Sequence, residues 1–344
     1  MKYTDHALNI LTAKTFKNIG NSWIAEHLNY KQDLDVIVDL LSKKTKELVN
    51  EKIFQSRKRQ IEQKLEAMSN YCDGLVAIGD EKFPNYRGNV SGADRPVALF
   101  YKGDLSLLHT DNLAVAVIGL LNPSSHENDY TIENDERTIV DALVRNNATI
   151  VSGLALGCDR IAHHQALITT KKLHGHTAGA TVGILPCTLA KIIPKECHNI
   201  AQYMVENGCL LITEYYEEAS SVMEQSSRYV ARDRLQAMFS DAVVLTASYT
   251  QQSVDPNSKK IDSGSRHAME KAEAYGIPRA VIYHPKYNNN PKFDLNRQIM
   301  GNKKTPTTII NPDNPQPDIM QLLESISLSK SKQKSSTAIA QTLF

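Results

Sequence analysis

Residues 148–167, reading ATIVSGLALGCDRIAHHQAL, concentrate the residue types that hold an anion. Gly153 and Gly157 permit a tight loop and the close approach of another backbone. Ser152 adds a hydroxyl, and Leu154 and Ala155 complete the loop. A helix starting near Asp159 adds free N–H groups and the positive end of its dipole. A phosphate of a nucleotide or of a nucleic-acid backbone suits such a site. Asp159 does not, because a carboxylate repels phosphate. It is expected to cap the helix or orient the loop by accepting N–H bonds. His163 is a tempting catalyst, but it is expected to pack against the loop and bond to backbone. Gly153→Val is expected to weaken ligand approach while leaving the fold intact.

The surrounding pattern supplies the scaffold. Residues 113–119 form a continuous apolar run, as in a strand buried on both faces. A helix near 129–146 follows, then strands at 148–151, 180–185, 209–213, 241–246 and 279–283. Helices near 152–170, 197–207, 226–239 and 264–275 separate them. This alternation implies a parallel sheet with right-handed crossovers. The fold class is therefore α/β: a Rossmann-like parallel sheet with helices on both faces, preceded by a small helical domain. Ligands of such sheets bind beyond the carboxyl ends of the strands, which directs attention to the loops after 119, 151, 185, 213 and 246.

Residues 1–70 show helical spacing in Leu34, Ile37, Val38, Leu41 and again in Ile61, Leu65, Met68. Their basic run, from Lys43 to Lys64, reads as a solvated face or an auxiliary nucleic-acid contact. Short strands are expected at 75–78 and 97–101. The organisation expected is a helical, SAM-like domain at 1–70 and the α/β domain at 71–285. An irregular Asn- and Pro-rich segment at 286–324 and a flexible Ser- and Lys-rich tail at 325–344 follow.

A net charge of +1 gives no global attraction to nucleic acid, so any such binding must come from local clusters of Lys and Arg. Five cysteines without a CxxC pair argue against a disulfide framework and for a reducing compartment. Cys187, Cys197 and His198 lack the paired short spacing of a structural zinc site, so no metal is expected. No apolar run reaches the about 18 residues of a membrane span, and the N-terminus lacks a signal-peptide pattern. A cytoplasmic protein is expected.

SGLALGCDRIAHHQAL resembles the signature of the DprA/Smf family, in which a strand is followed by SGxAxGxD and a helix carrying A-H and A-L. Weaker similarities follow in order: Phe83-Pro84, Arg95-Pro96 to Tyr101-Lys102-Gly103, Ile193-Pro194-Lys195, Gly208 to Glu214, Arg232-Asp233-Arg234 (Asp for the family's Asn) and Ser263-Gly264-Ser265. Residues 14–28 resemble the family's small N-terminal helical domain. The resemblance implies single-stranded DNA binding without enzymatic activity or cofactor, a homodimer, and help in loading RecA during recombination or natural transformation. It places DNA contacts at Gly119, Asn122, the loop from Ser152 to Gly157, Lys195, Arg232, Arg234 and Ser263 to Arg266. Arg232 and Arg234 could instead pair with Asp233, Asp241 or Glu214 and brace the fold. Tyr215, Tyr216, Tyr229 and Phe239 are candidate stacking surfaces for bases.

Three departures stand out. The family's G-x-R arginine is missing from Gly119-Leu120-Leu121-Asn122, Leu156 replaces a basic loop residue, and TASYTQQSVDPNSK lengthens the approach to Ser263. The end, Gln341-Thr342-Leu343-Phe344, is similar to a bacterial sliding-clamp-binding peptide. The alternative function is a small-nucleotide enzyme or sensor of the LOG phosphoribohydrolase type, with Glu214 or Glu270 as the active carboxylate.

Overall fold

The computed structural model describes residues 1–124, 129–176, 179–258 and 261–342, the last ten of these by backbone alone. Helices α1 (Asp5–Ala13), α2 (Asn21–His27), α3 (Leu34–Lys44) and α4 (Glu51–Met68) open the chain. Side chains cap two of them. The Thr4 hydroxyl accepts the Ala7 N–H at 2.9 Å and the Asn50 side chain accepts the Ile53 N–H at 2.9 Å. Each satisfies a donor that the first helical turn leaves free. Ile37, Leu41, Ile61 and Leu65 are buried at helical spacing and join the core beneath one face of the sheet. Much of the basic run is neutralised: Lys43 pairs with Asp39, Arg57 with Glu47, Lys58 with Asp5 and Lys64 with Glu217.

Nine strands follow: β1 (Gly74–Ala77), β2 (Ala98–Gly103), β3 (Ala114–Ile118), β4 (Thr149–Ser152), β5 (Thr181–Ile184), β6 (Leu210–Thr213), β7 (Ala242–Leu245), β8 (Arg279–Ile282) and β9 (Thr307–Ile310). They form one sheet in the order β1-β2-β6-β5-β4-β3-β7-β8-β9. From β6 to β9 the pairing is parallel throughout. The sheet is nonetheless mixed, because β1 and β2 add antiparallel at one edge. The β1–β2 link contains no crossover helix, and a parallel connection needs one.

Helices α5 (Thr131–Arg145), α6 (Cys158–His174), α7 (His198–Glu206), α8 (Val222–Met238), α9 (Arg266–Tyr275), α10 (Asp294–Met300) and α11 (Pro315–Thr342) complete the described chain. Strand alternation divides them between the faces. Val115 and Val117 of β3 face a core shared with α5, α6, α7 and α11, whereas Ala114, Ala116 and Ile118 face one shared with α8, α9 and α10. Both faces are covered, so the strands read as unbroken apolar runs.

Two expectations about the C-terminal third are corrected. The segment expected to be irregular, 286–324, contains α10, β9 and the start of α11. Its polar residues form caps: the Asn290 side chain accepts the Lys292 N–H at 3.0 Å and that of His284 accepts the Lys286 N–H at 3.1 Å. The expected flexible tail begins inside α11, whose Ile319, Leu322 and Ile326 are buried at helical spacing. Asn296 of α10 is fully buried, and its Nδ2 donates to the carbonyls of Thr246 and Ile282, each at 3.0 Å. It thereby ties the ends of β7 and β8 together. Asn296→Ala should destabilise the fold by ~1–3 kcal/mol through the orphaned carbonyls. Urea denaturation checks this, and a loss below ~0.5 kcal/mol would show that the tie carries no weight.

Candidate functional site

The loops after β3 and β7 leave the sheet in opposite directions, which opens a crevice at the carboxyl edge. The crevice is about 440 Å³. Gly119 and Leu121 line it from the β3 loop, Ala155 and Leu156 from the β4 loop, and Tyr229, Arg232 and Asp233 from α8. Asp262 and Gly264 close it ahead of α9. Four of the five loops expected from the sequence, those after 119, 151, 185 and 246, therefore converge on one place, whereas the loop after 213 carries Glu214, Tyr216 and Glu217 to a separate hollow against α1 and α4. The Ser265 hydroxyl donates to the Gly119 carbonyl at 3.0 Å, and Asp262 accepts the Leu121 N–H at 2.7 Å, so the β3 and β7 loops brace each other. The long segment after β7 is tied down as well, with Tyr249 Oη on Asp255 at 2.6 Å and Ser253 Oγ on Asp294 at 2.5 Å.

Local chemistry shapes the loop between β4 and α6. Asp159 Oδ2 accepts the N–H groups of Gly153 at 3.1 Å and Ala155 at 3.3 Å. Gly157 takes φ +68°, and a Cβ there would lie 2.3 Å from the Leu120 carbonyl oxygen. Leu154 also has a left-handed backbone, with φ 55°, and its side chain is buried. The Ser152 hydroxyl is not offered to a ligand; it donates to the Val117 carbonyl at 2.7 Å. His163 is buried with Nδ1 2.7 Å from Thr181 Oγ1, which itself donates to the Ile150 carbonyl at 2.7 Å. The Nδ1 proton therefore points at Thr181. Burial, then the Arg232 charge, pushes the His163 pKa down to about 3 and keeps the ring neutral.

The arginines divide sharply. Arg232 is buried, with Nη1 3.4 Å from Asp159 and Nε 3.3 Å from Asp233. Its guanidinium lies where a Gly153 side chain would be: an ideal Cβ would fall 0.8 Å from Nη1. Arg234 forks onto Glu214 through two 2.8 Å bonds and donates to the Asp94 carbonyl. Both arginines brace the fold, the second of the two roles open in the sequence. Arg266 reaches Glu270 at 3.4 Å beside the crevice. The exposed cations are Lys195, next to the crevice residue Pro194, and Arg160, next to Asp159. Sequence reasoning passed over Arg160, although its place directly after Asp159 on the first turn of α6 was visible.

The crevice also holds three carboxylates, Asp159, Asp233 and Asp262. Burial pushes the Asp233 carboxyl up to about 7, and Asp159 and Asp262 push the same way against the opposing Arg232 charge. Below α6, buried Glu136 is also pushed well above the usual carboxylate range by burial. The two carboxylates of the nucleotide-enzyme alternative are placed elsewhere: Glu214 holds Arg234, and Glu270 is exposed on α9. Of the aromatic candidates, Tyr229 lines the crevice, Phe239 is buried in the core, Tyr216 packs on Phe100 and Tyr215 lies under Arg228. Asn122 is exposed and follows the crevice residue Leu121 in the chain, and Ser263 precedes the crevice residue Gly264. Leu343, Phe344 and the Gln341 side chain lie outside the described residues.

Fold and crevice define a Rossmann-like binding protein whose site lies at the switch point of a mixed sheet. Residues 74–293 match the model of the DNA recombination-mediator protein A family, and the chain belongs to that family. Protein Smf of Borreliella burgdorferi is 27% identical over 172 residues, 50% of this chain and 48% of that protein. The chain thus spans about half the length of the curated relatives it matches first. DNA processing protein A from Streptococcus pneumoniae has a similar fold, with a TM-score of 0.65 at 22% identity over 93% of this chain and 98% of that one. DNA processing protein A from Helicobacter pylori, solved for its single-stranded DNA binding mode, matches with a TM-score of 0.51 at 26% identity. That match covers 71% of this chain and 99% of that one.

Proposed function

We propose that this chain binds single-stranded DNA along the carboxyl edge of its sheet and acts as a recombination mediator. The observation that carries the reading is the pair of exposed cations, Lys195 and Arg160, flanking a crevice at the switch point. Neither has an ion-pair partner among the described residues, whereas Arg232 and Arg234 do. Phosphates then track Lys195 and Arg160, with Asn122, Ser263, Gly264, Ser265 and Arg266 at the rim. Single-stranded DNA binding in the Helicobacter pylori relative supports the assignment. The same reading makes RecA the recombinase that receives the strand and the protein a cytoplasmic homodimer, working by binding and not by catalysis.

Fluorescence anisotropy with single-stranded and duplex oligonucleotides across a salt series tests the reading. Salt-sensitive binding that prefers single strands is expected. Lys195→Ala should weaken binding and lower the slope of log affinity against log salt by ~0.7, one single-strand phosphate contact. An unchanged slope would remove Lys195 from the track. Absence of DNA binding together with stabilisation by a mononucleotide would overturn the function itself.

A further inference from the structure

Helix α8 presents an exposed apolar face that the core does not use. Val222, Met223 and Val230 are 86%, 80% and 48% exposed. At 3.6 residues per turn, positions 222, 223, 226, 229, 230 and 233 fall within an arc of about 120°. Ser226, Tyr229 and Asp233 of that arc also line the crevice. The apolar stripe is therefore continuous with the proposed DNA site, running from the crevice to the start of α8.

Its chemistry selects the occupant. Asp233 at the inner end is the stripe's only ionisable carboxyl, and no cation lies within it, so it has nothing to offer a phosphate. Lys195 and Arg160, exposed and next in the chain to the crevice residues Pro194 and Asp159, belong to other elements, the segment after β5 and the start of α6. A strand with its phosphates on those cations needs an uncharged surface for its bases, and only an unpaired strand has bases to give. Resting on the DNA reading above, we propose that the exposed face of α8 is a stacking platform for unpaired nucleobases. The Tyr229 ring takes the base nearest the crevice, and the Met223 thioether and Val222 take the next. Methionine sulfur makes favourable contacts with aromatic rings.

Two oligonucleotides of equal length, one of thymidylates and one of abasic deoxyribose phosphates, test the platform on the full chain. Wild type should bind the thymidylate strand about tenfold more tightly, from about one base's worth of stacking. The double variant Val222→Ser, Met223→Ser changes only exposed side chains. It should cut that preference to about threefold, because Tyr229 still takes its base, while keeping its affinity for the abasic strand and its salt slope. Wild-type preference in the double variant overturns the platform and leaves DNA binding intact. Equal loss on both strands also overturns it, as does a fall from dimer to monomer by sedimentation, which assigns the stripe to a second copy of the chain. If wild type binds neither strand, the DNA reading itself fails.

Discussion

Gly153→Ala should destabilise the protein by ~3 kcal/mol, and nearly all of that loss should disappear in an Arg232→Ala background. The reason is steric and electrostatic together. An added Cβ would fall 0.8 Å from Arg232 Nη1, so the guanidinium must leave its place between Asp159 and Asp233. Removing one partner from a buried charged group typically costs about 3–5 kcal/mol, because it strands the others. Asp159 would also lose the charge that balances it while it holds the Gly153 and Ala155 N–H groups. With Arg232 already truncated, the methyl group enters vacated space. Urea denaturation of both single variants and the double variant measures the coupling. Additive losses would show that Gly153 matters through its own backbone and not through Arg232. The expectation that a larger residue at 153 would block ligand approach in an otherwise intact fold is thereby replaced: the protein's own arginine occupies that approach.

The same residues show what a sequence can disclose. Strand–helix alternation is legible because parallel strands covered on both faces appear as apolar runs, such as 113–119 for β3. The role of Asp159 is legible because its partners lie within six residues of it. The position of Arg232 is not: it stands 73 residues from Asp159, and only the completed fold brings them together. An arginine fork fits carboxylate and phosphate equally well, so residue type alone could not separate a brace from a DNA contact at Arg232 and Arg234. Strand β9 is hidden differently. Its short run Thr307–Ile310 follows an Asn- and Pro-rich stretch whose residues cap short turns, and composition there outweighs a four-residue β-branched signal.

Asp233 occupies a place where the family pattern carries Asn, and the exchange should be readable in pH. Burial is the largest cause that raises its pKa from 3.8 to about 7. The folded state therefore holds the Asp233 proton more tightly than the unfolded chain does. The stability this contributes is whole below pH 3.8 and is lost as pH rises through about 7. The displacement corresponds to ~4 kcal/mol across that window. Above it, Arg232 stands against the carboxylates of Asp159 and Asp233 together. Asp233→Asn keeps an oxygen for the Gln236 Nε2–H, now donated at 3.0 Å, and removes the second charge. The variant should match wild type near pH 4 and exceed it by a few kcal/mol at pH 8, as urea denaturation at the two pH values would show. A constant difference at both would mean that Asp233 does not titrate in this range. The binding consequence has the same sign. An ionised Asp233 repels the phosphates of a strand entering the crevice, so wild type should bind single-stranded DNA more tightly at pH 6 than at pH 8, and Asp233→Asn should flatten that part of the profile.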